Sequence, residues 1–189
     1  MMMKPASLTG HLLLAMPGMT DANFTQSVTL ICLHTTEMAV GLIINRPTRL
    51  TLRELLDHLS LAPGTQEDTL RQPVYQGGPV QTERGFIVHS PDCTGESTQP
   101  INDGLSMSSS RDVLDAIARG RGPRRFLVAL GYAGWESGQL EREIVDNAWL
   151  SSPADQDLIF DLPAEQRWQA AAQRIGVRLD RLSIDAGHA

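Results

Sequence analysis

The chain is 189 residues long with a formal net charge of -6 and a sequence pI of about 5.3, so no broad electrostatic attraction to phosphate backbones or anionic lipid is expected. Of its 16 basic residues only Lys4 is a lysine, which leaves the folded body without a Schiff-base amine or a phosphate-loop lysine. The two cysteines, Cys32 and Cys93, are too few for a disulfide scaffold and fit a reducing cytoplasm.

Met1-Met2-Met3-Lys4-Pro5 is not followed by a signal-like apolar run, and Leu12 to Met16 is cut off by Pro17-Gly18 before it could cross a bilayer; neither secretion nor a membrane span is expected. Leu12 to Met16 instead reads as a buried strand, with Asp21 able to cap the short segment after the turn. Val28 to His34 is the next strand. Its period of two places Val28, Leu30, Cys32 and His34 on one face and Thr29, Ile31 and Leu33 on the other. Thr35-Thr36-Glu37 turns the chain back into a strand from Val40 to Asn45, closing an antiparallel hairpin. Pro47 stops that strand and restricts the residue before it, so Asn45 and Arg46 are expected to stand at the strand's end and point into a turn.

Thr51-Leu52-Arg53-Glu54 is a capping box, and Leu52, Leu55, Leu56 and Leu59 follow at helical spacing up to a stop at Pro63-Gly64. Val74 to Gln76 leads into the Gly77-Gly78-Pro79-Val80 turn, and Gly85 to Ser90 reads as a strand ended by Pro91. Cys93 to Ser110 reads as a long polar excursion with one strand-like piece near Gly104 to Met107. Ser109 or Ser110 caps a helix faced by Val113, Leu114 and Ile117, after which Phe126 to Leu130 is a strand and Gly131 to Trp135 a turn. Ser137 or Gly138 starts a short helix. Trp149-Leu150 and Leu158-Ile159-Phe160 read as extended, and Pro163 opens a last helix whose buried stripe is Trp168, Ala171, Ala172 and Ile175. The whole reads as a single α/β domain over residues 1–189 with a core of about 8–176, residues 1–7 and 180–189 being mobile.

Three constellations have chemical meaning. Asn45, Arg46 and Pro47, opposite Gly77, Gly78 and Pro79, would form a small polar recess whose backbone N–H groups suit an anion; equally, Asn45 caps a turn, Arg46 closes a surface ion pair, and the glycines let two backbones approach. Cys32 is the candidate reactive thiol, with His34 as its base, although neighbours two apart on a strand stand about 7 Å from each other. Arg119, Arg121, Arg124 and Arg125 form a basic cluster, better explained by a helix C-terminus than by nucleic acid, and Glu141, Glu143 and Asp146 are ordinary acids of a first helical turn with no histidine near in sequence. No cofactor and no metal are expected.

Gly10 to Pro17, Asp21-Ala22-Asn23-Phe24, Ser27-Val28, Gly41 to Pro47, Gly77-Gly78-Pro79-Val80 and Gly131 to Trp135 together resemble the AlgH/YqgE family of bacterial proteins, and Gly138 to Glu141, Glu143, Asn147-Ala148-Trp149 and Trp168 continue the likeness from about Leu8 to Gly176. The resemblance implies a compact domain with a largely antiparallel, partly barrel-like sheet flanked by helices, in the bacterial cytoplasm. It carries a label of transcriptional regulator that comes from genetics, and it brings no catalytic residues. The expectation is therefore a non-catalytic regulatory or protein-interaction domain with an unknown protein partner, not a direct reader of DNA. The alternative is a small-molecule or anion-binding domain using the recess.

Overall fold

The computed structural model describes residues 6–182. Its elements, in chain order, begin with strands His11–Ala15 (β1), Val28–His34 (β2), Met38–Ile43 (β3) and Pro47–Thr51 (β4), then helices Leu52–His58 (α1) and Glu67–Leu70 (α2). Strands Pro73–Gln76 (β5), Val80–His89 (β6), Gln99–Asn102 (β7) and Leu105–Ser108 (β8) follow, then helix Arg111–Ala118 (α3) and strand Phe126–Glu136 (β9). Helix Gln139–Val145 (α4), strand Trp149–Pro153 (β10), a π-helical turn Asp157–Asp161 and helix Ala164–Arg174 (α5) close the fold, with a 3-10 turn at Leu179–Arg181. Lys4 and the far ends of the two tails lie outside the described residues. Ser7, expected to be mobile, is tied down by its hydroxyl, which donates to His34 O at 3.1 Å.

The strands form an α+β fold in which one largely antiparallel sheet, ordered β10-β1-β2-β3-β9-β6-β8-β7, curls into a half-barrel; β4 and β5 attach beside β9, the β5–β9 pairing being parallel. β1 is central, between β10 and β2, and has packed layers on both of its faces, so Leu12, Leu13 and Leu14 are all fully buried: a strand covered on both faces is apolar throughout rather than alternating. Leu12 and Leu14 face the inside of the half-barrel, which α5 and the π-helical turn plug with Ala171, Ala172, Leu158 and Ile159. Leu13 and Ala15 face the opposite side, where α4 adds Leu140 to Trp135 and Trp149. A third cluster lies under α1 and α3. The capping box forms as expected, Thr51 Oγ1 accepting from Glu54 N–H at 3.3 Å and Glu54 Oε2 accepting from Thr51 N–H at 2.8 Å.

Four expectations need correction. Gly131 to Trp135 is no turn: β9 runs unbroken for 11 residues, pairing with β6 through its first half and with β3 from Ala133 to Glu136. Gly131 serves a close approach instead, since a Cβ there, at a φ of +77°, would lie 2.4 Å from Gly78 O. Leu158 to Phe160 is helical, because Asp155 Oδ1 accepts from Leu158 N–H at 2.9 Å and starts a turn that Leu162 N–H closes onto Asp157 O. The polar excursion before α3 holds two strands, β7 and β8, joined by a tight turn in which Asn102 Oδ1 accepts from Gly104 N–H at 2.9 Å. Finally, Pro47 does not lead into a turn but opens β4, pairing with Tyr75.

Candidate functional site

Asn45 and Arg46 do stand at the end of β3, and both side chains turn to the loop before β2. Asn45 Oδ1 accepts from Val28 N–H at 2.9 Å while its Nδ2 donates to Gln26 O at 2.9 Å, so one amide continues the backbone pairing that Gln26, at φ 55°, breaks off. Arg46 donates from Nη1 to Asn23 O and from Nη2 to Thr25 O at 2.8 Å; burial pulls its pKa down, against the pull of Asp21. The loop so held points Phe24 into the indoles of Trp149 and Trp135, at 5.5 and 6.3 Å between ring centroids. Both indole N–H groups donate to Glu143 Oε2, at 2.8 and 2.9 Å.

Opposite this clamp the anticipated recess is filled. Gly77 N–H donates to Leu130 O at 2.8 Å and Gly77 O accepts from Ile43 N–H at 2.8 Å, while a Cβ there would sit 2.3 Å from Gly131 O. Gly78 presses as closely on Tyr132, and Pro79 is exposed. These positions therefore hold two backbones together and leave no open anion cradle.

A bulge in β2 separates Cys32 from His34. Between Ile31 and Leu33 the register with β3 shifts, which sends Cys32 into the cluster inside the half-barrel and returns His34 to the side of Ala39 and α4. Burial pushes the Cys32 thiol up to about 12, so at neutral pH it stays protonated among apolar neighbours. His34 Nδ1 accepts from Leu8 N–H at 2.9 Å, leaving Nε2 to donate to Glu141 at 2.8 Å. Glu141 is held below the usual carboxylate range by its own N–H and, after the opposing effect of burial, by His34. The arginine cluster also disperses: Arg119 pairs with Asp115 at 2.9 Å, and Arg125 with Asp157 and Asp161, both at 3.1 Å. Among the described residues no three His, Cys, Asp or Glu side chains gather as metal ligands would, and no helix is long and apolar enough to cross a membrane.

The end of the half-barrel that α5 does not plug stays open. There Leu33, Val40, Phe86, Met107 and Tyr132 line a cavity of about 300 Å³ together with Met38 and Arg84. The bulge at Cys32 directs Leu33 outward to this mouth, and the long β9 delivers Tyr132, packed edge-on against Phe86 at 5.8 Å. Sequence reasoning assigned these residues to strands and turns and singled out none of them as part of a site. The available signal was slight: an apolar Leu33 just before the polar turn Thr35-Thr36-Glu37, with Met38 and Val40 following it.

A family model described as AlgH-like matches residues 12–180. The chain is 52% identical over 184 residues to a UPF0301 protein of Thioalkalivibrio sulfidiphilus, covering 97% of this chain and 98% of that one, and 50% identical over 185 residues to a UPF0301 protein of Pseudomonas putida, covering 98% and 97%. Among solved structures it is similar to the solution structure of the AlgH protein from Pseudomonas aeruginosa, with a TM-score of 0.79, 49% identity and 100% of both chains covered. A crystal structure of a Corynebacterium diphtheriae protein, 20% identical with a TM-score of 0.72 over 92% of this chain and 90% of that one, shares the fold.

Proposed function

The chain belongs to the AlgH-like family of bacterial proteins, and from that premise we propose that it is a non-catalytic interaction domain that seats a protein partner at the open mouth of its half-barrel. The observation that supports this reading is where the large apolar side chains reach water. Leu33 and Met38, 38% and 44% exposed, line the mouth, and Val80, 37% exposed, stands opposite Tyr132 of its wall in the ladder. Exposed apolar side chains scattered singly are ordinary, whereas a contiguous set above an apolar cavity is the mark of a contact surface. Met38 and Met107, unbranched and polarizable, adapt to an incoming side chain.

The surroundings select the chemistry of the occupant. Glu136 stands opposite Met38 in the ladder, Glu37 precedes Met38, Glu83 precedes Arg84, and all three glutamates are exposed. Arg84 lies over the Phe86 ring at 5.2 Å. The matching partner is a protein segment whose apolar residues are flanked by Lys or Arg. Regulation through such a partner in the cytoplasm, rather than by direct reading of DNA, agrees with the net charge of -6.

The test is affinity capture from nuclease-treated bacterial cytosol with the wild type and a Leu33→Asp/Met38→Asp variant side by side, followed by binding of the purified partner at two salt concentrations. A protein retained by the wild type, lost by the folded variant and bound more weakly at high salt is the expected outcome. Equal retention by both forms, or binding that disappears with nuclease, would refute the proposal.

A further inference from the structure

A second site is suggested by a buried charge. On α5 the stripe that faces the sheet runs through Ala164, Trp168, Ala171 and Ala172, and Arg167 shares it by its spacing of three from Ala164 and four from Ala171. Its side chain is only 4% exposed. Nε donates to Leu162 O at 3.0 Å, Nη1 donates to Ile44 O, and the guanidinium carbon lies 5.3 Å from the centroid of the Tyr75 ring. Three of its five N–H groups have no partner among the described residues, and no described carboxylate lies within 4.0 Å of it. Two carbonyls and an aromatic face do not neutralise a guanidinium, and Nη2, which has no partner among the described residues and is not fully buried, stays accessible to a ligand that brings the counter-charge.

The room for that anion adjoins it. Arg167 lines a cavity of about 330 Å³ between β5, the start of β9, the π-helical turn and α5. Tyr75, Phe126 and Phe160 give it an aromatic wall, and the Tyr75 hydroxyl has no hydrogen-bond partner among the described residues. Arg124 lines the same cavity and makes no ion pair within 4.0 Å among the described residues, its backbone N–H holding the nearby Asp92, whereas Arg125 is already engaged by Asp157 and Asp161. The widened turn that supplies Phe160 is of a kind often found at functional sites. Asp161 also stands on the wall, paired with Arg125, and it repels a dianion about twice as strongly as a monoanion.

We propose that this cavity binds a small organic monocarboxylate with a planar apolar body, its carboxylate on Arg167 and Arg124 and its body against Tyr75, Phe126 and Phe160. A fork of guanidinium N–H groups matches the two oxygens of a carboxylate, and the rings supply area for a flat ligand. The site is separate from the barrel mouth and does not depend on it.

Amide correlation spectra of the full chain, titrated with benzoate, benzamide, acetate and inorganic phosphate, test this directly. Benzoate is expected to produce saturable shifts confined to residues 73–76, 124–127 and 159–167, with benzamide, which lacks the charge, and acetate, which lacks the body, binding at least about tenfold more weakly. Phosphate is expected not to compete. Because Arg167 also ties α5 to Leu162 and Ile44, Arg167→Lys is read beside Arg124→Ala, whose exposed side chain is free of the core; each is expected to weaken benzoate binding several-fold in a folded protein. The proposal fails if benzoate gives no saturable shift, if benzamide or phosphate binds as well, if the shifts map to the mouth, or if both variants bind like the wild type.

Discussion

Asn45 uses both ends of its amide on the backbone of a loop that precedes it by nearly twenty residues, and Arg46 adds two carbonyls of the same loop. Asn45→Ala removes two hydrogen bonds and leaves the Val28 N–H without its acceptor, so we expect a loss of about 1–3 kcal/mol in denaturant unfolding and faster amide exchange at Val28. Asn45→Asp, which keeps the acceptor but loses the donor, should fall between the two; a neutral Asn45→Ala would show that the clamp is not needed. The sequence marked Asn45 and Arg46 as polar groups on a rigid strand end but held no trace of their partners, which are carbonyls and have no residue signature. Arg167 was legible in principle, as an arginine on the buried stripe of a helix. The bulge at Cys32 was not, because a β-bulge leaves strand periodicity intact on either side of it.

At the level of elements, local patterns that carry their own hydrogen bonds were readable. The capping box of α1, the hairpin of β2 and β3, and the apolar faces of α3 and α5 all lie within one stretch of chain. Elements defined by distant partners were not: β4 exists because β5 lies beside it, and β9 continues through Gly131 because Gly78 from another strand end needs the space. Glycine favours turns and close approaches alike, and only the neighbour decides between them. The two glycines of β9 should therefore respond differently to alanine. Gly131→Ala places a side chain at positive φ and 2.4 Å from Gly78 O, and we expect it to cost more than about 3 kcal/mol. At Gly134 the nearest atom is a Tyr132 ring carbon at 3.5 Å, and the same change should stay within about 1 kcal/mol by thermal unfolding. Equal effects at the two positions would overturn this account of β9.

The molecule as a whole has several carboxylates that the fold holds below their ordinary range. Hydrogen bonds from Thr51 do this for Glu54, those from Ser110 and the Glu96 N–H for Asp112, and at Asp92 burial opposes the shift while Ser90 and the Arg124 N–H prevail. A carboxylate whose pKa is lower folded than unfolded adds stability that is complete above the unfolded value, near about pH 4, and is lost as pH falls through the folded value. The melting temperature should hold steady from neutral pH towards the pI of about 5.3, where relief of the negative charge works against any loss, and decline below about pH 4. An Asp92→Asn/Asp112→Asn variant is expected to flatten that acid limb in thermal scans across pH. A wild type that becomes more stable on acidification below that point would contradict the assignment.

The position of β9 also bears on how the chain is made. It is the strand between β3 and β6, yet it is the ninth to leave the ribosome, and β10, which covers β1, comes later still. Until residue 136 has emerged, the nascent β3 presents an unpaired edge to the cytosol and the early meander has no central neighbour to dock on. Synthesis of this protein thus includes a waiting period in which the N-terminal third is translated while its sheet edge is still unpaired.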